Sequence, residues 1–158
     1  MFLSDDYKIK QAENNDKKDI QKLVFGVLKE YSLNPDPMET DKDLNDISKS
    51  YNNNRGSFYV ILDSGENIIA TTGIYNIDES TCELRKMYLL KEHRGKGIGK
   101  FLLEYSIDKA KQLGYTKLIL ETASVLKEAI GLYKSYGFKE VSEGHLSSRC
   151  DQRFFIDL

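Results

Sequence analysis

Gly95, Gly97 and Gly99 alternate with other residues in the stretch Met87-Tyr88-Leu89-Leu90-Lys91-Glu92-His93-Arg94-Gly95-Lys96-Gly97-Ile98-Gly99-Lys100, which runs from an apolar segment into a helical pattern. Residues without Cβ let a main chain come close to a ligand, and amides at a helix start offer partial positive charge to an anion. Arg94, Lys96 and Lys100 add full charges. From Arg85 to Lys100 six basic residues (Arg85, Lys86, Lys91, Arg94, Lys96, Lys100) stand against one acidic residue, Glu92, inside a chain of net charge −2. The chemistry this suits is a phosphorylated, polyanionic cofactor held by backbone nitrogens. The P-loop pattern G-x-x-x-x-G-K-[ST] is absent, which argues against a nucleotide triphosphatase. A dinucleotide fingerprint would need glycine at position 100, where Lys100 stands, although Glu121 imitates the acidic residue of that fingerprint. A tight connection with solvated basic side chains is the alternative reading of the same turn.

Such a turn needs a strand before it and a helix after it, and the apolar periods supply both. Tyr7–Lys10 alternates as a short strand, and Asn14-Asn15-Asp16 provides cap chemistry for a helix whose stripe is Ile20, Leu23, Val24, Val27, Leu28 and Tyr31. Pro35 and Pro37 end it, and the acidic stretch 36–46 begins a second, weaker helix with Leu44 and Ile47. Three strands follow, 57–62, 68–77 and 81–90, joined by the turns Asp63-Ser64-Gly65-Glu66-Asn67 and Asp78-Glu79-Ser80, an antiparallel meander. After the glycine turn a helix carries Phe101, Leu102, Tyr105 and Leu113 inward up to Gly114. A fifth strand (117–122) precedes a last helix capped by Ser124, with Val125, Ala129, Leu132, Tyr133 and Tyr136 on one face up to Gly137, and two final strands span 138–141 and 153–158. The order β-α-α-β-β-β-α-β-α-β-β is an α+β or mixed α/β pattern.

Length and composition set outer bounds. A chain of 158 residues without repeats or linkers is expected to form one domain, 1–158. Leu, Ile, Val and Phe make up 43 residues, about 27%, enough for a core. The slightly negative net charge argues against nucleic acid as a partner. The longest apolar run, Phe58–Leu62, is far shorter than a membrane span, and the first residues do not read as a signal peptide, so no membrane association and a cytoplasmic location are expected. Cys82 and Cys150 read as reduced thiols, and His93 and His145 form no ligand cluster, so no metal site is inferred.

Arg94, Gly97 and Gly99 meet the Q/R-x-x-G-x-G/A signature, and Ala129, Leu132, Tyr133, Gly137 and Phe138 meet a second stretch, A-x-x-L-Y-x-x-x-G-F, in a chain that resembles the GNAT superfamily of acetyl-coenzyme A-dependent N-acetyltransferases. The resemblance implies a mostly antiparallel sheet of six to seven strands flanked by about four helices and splayed between strands four and five. It implies acetyl-CoA as cosubstrate. Backbone groups of Met87, Tyr88 and Leu89 would pair with the pantetheine arm, the amides of Gly95, Lys96, Gly97, Ile98, Gly99 and Lys100 would hold the pyrophosphate, and an N–H near Leu89 would polarise the thioester carbonyl. An asparagine that touches the coenzyme in many relatives is replaced here by Leu126.

Amide formation from a thioester needs an unprotonated amine, and an alkylamine is largely protonated near neutrality, so a base is required. By resemblance Glu121 holds the position of the proton acceptor in the ribosomal-protein N-acetyltransferase branch, while stabilisation of the turn before Ser124 is the competing reading. Glu83, the other carboxylate, reads first as an ion-pair partner of Arg85 on the same strand face. Tyr133 is the family's candidate acid for the departing thiolate, against the alternative that it is one more member of a core stripe. Tyr136 and Tyr88 read as packing residues. The leading expectation is direct acetyl transfer to a primary amine, small molecule or peptide N-terminus, in a ternary complex. A non-catalytic acyl-CoA-binding regulatory module is the alternative. The acceptor, bordered by the first two helices and roughly residues 143–151, and the choice between monomer and homodimer stay open.

Overall fold

In the computed structural model, which describes residues 1–142, 144 and 146–158, the switch from helical to alternating apolar spacing marks where the chain passes from its first helix into its sheet. Strand β1 (Lys8–Gln11) leads to α1 (Lys17–Glu30), whose buried Ile20, Leu23, Val24, Val27 and Leu28 recur at the spacing that keeps one side of a helix apolar. The helix is entered through a 3-10 turn closed by the Glu13 backbone N–H donating to Asp16 Oδ2 at 2.9 Å. Strands β2 (Ser57–Leu62), β3 (Ile68–Asn76) and β4 (Thr81–Leu89) form the expected meander. Its turns are built by aspartates: Asp63 Oδ1 accepts from the Gly65 and Asn67 amides at 2.9 Å each, and Asp78 Oδ1 from Ser80 and Thr81 at 2.9 and 2.8 Å. Helix α2 (Ile98–Gln112), strand β5 (Lys117–Thr122), helix α3 (Lys127–Ser135) and strands β6 (Lys139–Val141) and β7 (Gln152–Asp157) complete a seven-stranded sheet of order β1-β2-β3-β4-β5-β7-β6. Helix α1 covers one face, and α2 with α3 the other. No helix of the described residues is long and apolar enough to cross a membrane.

Two irregularities of this sheet create the space for a site. The parallel contact of β4 with β5 lasts only from Thr81↔Lys117 to Glu83↔Ile119, so beyond Glu83 the strands part. Within β4, Lys86 and Met87 together oppose Thr72 alone, a bulge at which Lys86 takes a φ of 54° and its carbonyl accepts the Thr71 hydroxyl at 2.6 Å. The bulge turns Lys86 toward the α1 face. There its ammonium is buried 3.2 Å from both Asp41 Oδ1 and Asp43 Oδ1.

The segment between α1 and β2 departs from its sequence reading. In place of a regular helix it contains a 3-10 turn (Lys42–Asn45) and a π turn (Ser48–Asn52). Its acidic run is not a solvated surface, because Asp41 and Asp43 are buried and charge-paired. Tyr51, fully buried, donates its hydroxyl to Asp43 and packs edge-on against Phe58. Removing that donor leaves a buried carboxylate short of one partner, so Tyr51→Phe is expected to lower unfolding free energy by about 2 kcal/mol, as read by urea denaturation. Two further readings are corrected. Leu113 and Val125 are exposed, at 37% and 50%, since α2 and α3 bury Leu103, Ala110, Ile130 and Tyr133 in their place. Ser124 does not cap α3; it bonds to Asp151 through its amide (2.8 Å) and hydroxyl (2.7 Å), and Leu126 is the residue at the helix start. Glu143 and His145, the former at the edge of the expected acceptor border, lie outside the described residues.

Candidate active site

The turn between β4 and α2 places Gly95 and Gly97 at φ +76° and +82°, a region costly for residues with a Cβ. A Cβ built on Gly95, Gly97 or Gly99 would meet nothing within 4 Å, so open space lies before the loop. Among the described residues the backbone amides from Gly95 to Lys100 have no acceptor; the helix pattern begins with Phe101 donating to the Gly97 carbonyl at 3.0 Å. Six adjacent N–H groups at the positive end of a 15-residue helix are thereby left free to meet an anion. From the loop a cleft of about 670 Å³ runs past Met87, Tyr88 and Leu89, through the gap between β4 and β5, to Tyr133 on one side and Glu83 and Glu121 on the other.

Local charge at this mouth is smaller than the run of basic residues suggests. Arg85 pairs with Glu83 and stacks over the Tyr75 ring at 3.6 Å, as the sequence reading of Glu83 expects. Lys86 belongs to Asp41 and Asp43. Arg94 is also paired. Its guanidinium pairs with Glu30 at 2.5 and 3.0 Å, meets the Tyr31 hydroxyl at 3.1 Å and donates twice to the Leu89 carbonyl, at 3.1 and 2.9 Å. Arg94 therefore fastens the end of α1 to the glycine turn, and the Leu89 carbonyl is occupied. Lys96 and Lys100 supply charge at the loop, though the Lys96 ammonium reaches the Tyr7 hydroxyl at 3.5 Å.

The acid–base candidates fall on opposite faces of the sheet. Tyr133 leaves α3 toward Phe138 and Phe154, with ring centroids 5.7 and 6.4 Å away, and is only 6% exposed. Burial, then the neighbouring Tyr88 and Cys150, pushes its phenol well above the ordinary value, so it stays protonated. Its hydroxyl lines the cleft and has no hydrogen-bond partner among the described residues. Tyr136, by contrast, donates its hydroxyl to Glu104. Glu121 stands half-buried near the end of β5, opposite Arg153 of β7. Burial and then the Glu83 carboxylate raise its pKa; the Ser147 amide, Arg153 and Arg85 pull the other way.

Sequence reasoning missed a set of residues at the far end of the cleft. Arg149 reaches from the β6–β7 connection to grip Asp41 with two bonds of 2.7 and 2.5 Å, and Cys150 follows it with a thiol raised by burial. Tyr88 turns inward beside them, its phenol pushed up to about 12 by burial. Asp41 and Arg149 are 108 positions apart in the chain, and no local window of sequence connects them.

Residues 23–138 match the Acetyltransferase (GNAT) family. The uncharacterized N-acetyltransferase YjgM of Escherichia coli K12 is 32% identical over 149 residues, 88% of this chain and 87% of that protein. Human N-acetyltransferase 8B is 34% identical over 106 residues, 64% of this chain and 47% of the relative, so the chain spans about half the length of that protein. A crystal structure of a GNAT-family acetyltransferase from Staphylococcus aureus Mu50 superimposes with a TM-score of 0.88 at 23% identity, covering 96% of this chain and 98% of that one.

Proposed function

Because the chain belongs to the GNAT acetyltransferase family and is an acyltransferase of that type, we propose that it transfers the acetyl group of acetyl-CoA directly to a primary amine in a ternary complex. The observation that carries the reading is the row of six unpartnered amides opening onto a cleft that passes through the β4–β5 gap to Tyr133 and Glu121. The bare space before Gly95, Gly97 and Gly99 fits a pyrophosphate. When bound, the coenzyme supplies an activated acyl thioester. The amides of Gly95–Lys100 hold its diphosphate, and the edge of β4 from Met87 to Leu89, which β5 leaves uncovered, orients its pantetheine arm. Leu126, where many relatives have asparagine, offers that arm only an apolar wall.

Glu121 takes the proton from the acceptor ammonium. A carboxylate raised toward neutrality is a better base than a solvated one, provided it is still ionised at the working pH. The sign follows: kcat/KM should climb with pH as Glu121 deprotonates, with the midpoint of that limb above the ordinary glutamate value. Glu121→Gln is expected to lower kcat/KM about 10²-fold and to remove the limb, measured by coenzyme A release across pH 5–9. A limb that survives in the variant rules Glu121 out as its source. Tyr133 protonates the departing sulfur from the opposite face. Burial raises a phenol and a thiolate together, which keeps the transfer from one to the other within reach.

The acetyl-transfer reading is tested by calorimetric titration with acetyl-CoA followed by coenzyme A release on an amine panel. Absence of binding refutes it. Binding without turnover on any amine favours a regulatory acyl-CoA-binding module.

A further inference from the structure

A guanidinium has two forked edges. Arg149 spends its end-on edge, Nη1 and Nη2, on Asp41, and Nη1 also reaches the Asn34 carbonyl at 3.4 Å. Of its five N–H groups this leaves Nε–H and the second hydrogen of Nη2, the side-on fork that matches a carboxylate in two parallel bonds. Among the described residues neither donates to a carboxylate or carbonyl, the neutral Tyr88 phenol being the group that lies against this guanidinium, and Arg149 lines the cleft. The Arg149 side chain is 11% exposed and its partner Asp41 is fully buried, so the group is held in place before any ligand arrives. Lys86 supports the same arrangement by pairing with the Asp41 Oδ1 that Arg149 Nη2 also meets.

The charges around this fork pair off except those of Glu121 and Arg153, which face each other across β5 and β7 without an ion pair. Lys86 and Arg149 answer Asp41 and Asp43, and Arg85 answers Glu83. Glu121, lining the same end of the cleft, is ion-paired with no described residue. The turn that carries Arg149, closed by the Cys150 amide on the Ser147 carbonyl at 3.0 Å, also brings the Ser147 amide beside Glu121. A carboxylate without an ion pair and a guanidinium edge without an anionic partner therefore line the same cleft. A molecule with a second ammonium would bring that charge against Arg149 and Arg85.

We propose that the acceptor is an amino acid or similar amino-carboxylate, its ammonium directed to Glu121 and its carboxylate held by the side-on fork of Arg149. This rests on the acyl-transfer reading above, which supplies the reaction. The test compares kcat/KM for L-leucine, L-phenylalanine, L-methionine and L-glutamate with that for their α-amides and for spermidine, by coenzyme A release. The acids are expected to exceed their amides by on the order of 10- to 100-fold, the worth of a charge-assisted pair. Arg149→Lys keeps a cation for Asp41 but lacks the fork, and should erase that difference by lowering kcat/KM for the acids far more than for the amides, with affinity for coenzyme A measured alongside. Arg149→Gln should do the same if it folds. Equal turnover of acids and amides, turnover of spermidine alone, or equal losses on acids and amides in Arg149→Lys would overturn the assignment and leave acyl transfer standing. No coenzyme A release on any member of the panel, with acetyl-CoA bound, overturns both.

Discussion

Replacing Gly97 with glutamate is expected to cost about 10³-fold in coenzyme A affinity while the protein remains folded. Two effects add. Position 97 has φ +82° and ψ 3°, a conformation that costs a residue with a side chain about 1–2 kcal/mol. The new carboxylate would stand in the open space before the amides, and a charge about 4 Å from a phosphate is opposed by about 4 kcal/mol at the dielectric of a protein surface. The fold tolerates the change because a carboxylate at a helix start is locally favourable and a Cβ at 97 strikes nothing. Gly97→Asn separates the two causes, since asparagine enters the left-handed region readily and carries no charge; it should weaken binding by about tenfold or less. Calorimetric titration with coenzyme A, alongside thermal unfolding of each variant, reads both outcomes. Retained affinity in Gly97→Glu would mean that the diphosphate is not held by this loop.

The glycine turn was legible in the sequence because everything it needs is local: an apolar strand, residues that tolerate positive φ, and a helix start within about ten positions. The meander was legible for a similar reason, with Asp63 and Asp78 at turns closed by their own side chains. What stayed hidden is held together by distant charge. The six basic residues from 85 to 100 suggest a strongly positive patch, yet Lys86 is neutralised by Asp41 and Asp43, and Arg94 by Glu30, residues 43 to 64 positions earlier. The same ion pairs explain why the segment before β2 could not be read. Its shape follows less from a repeating apolar stripe than from Tyr51 and two buried aspartates anchored on a β-bulge. Periodicity likewise misjudged Leu113 and Val125, which lie at element ends where the chain is already turning away from the core. Arg149 carried no signal, as an arginine in an irregular connection looks like any solvated residue until Asp41 is placed opposite it.

Tyr133→Phe isolates one oxygen atom. The ring packs against Phe138 and Phe154, and phenylalanine keeps those contacts. The hydroxyl gives no hydrogen bond to any described residue, so its loss withdraws nothing from the fold, and unfolding free energy should change by about 0.5 kcal/mol or less. Coenzyme A affinity should also hold, because the proposed diphosphate contacts are backbone amides of Gly95–Lys100 and do not include Tyr133. If the hydroxyl protonates the departing thiolate, kcat should fall about 10²- to 10³-fold, the usual share of a general acid. The pH profile sharpens the assignment: burial raises the Tyr133 phenol, so the native enzyme should show no alkaline loss of activity from this group below pH 10. Single-turnover acetyl transfer, run beside equilibrium binding, distinguishes a slower chemical step from slower product release. Parallel losses in kcat, binding and stability would return Tyr133 to the packing stripe of α3, and the proton for the coenzyme thiolate would then have to come from water admitted through the gap between β4 and β5.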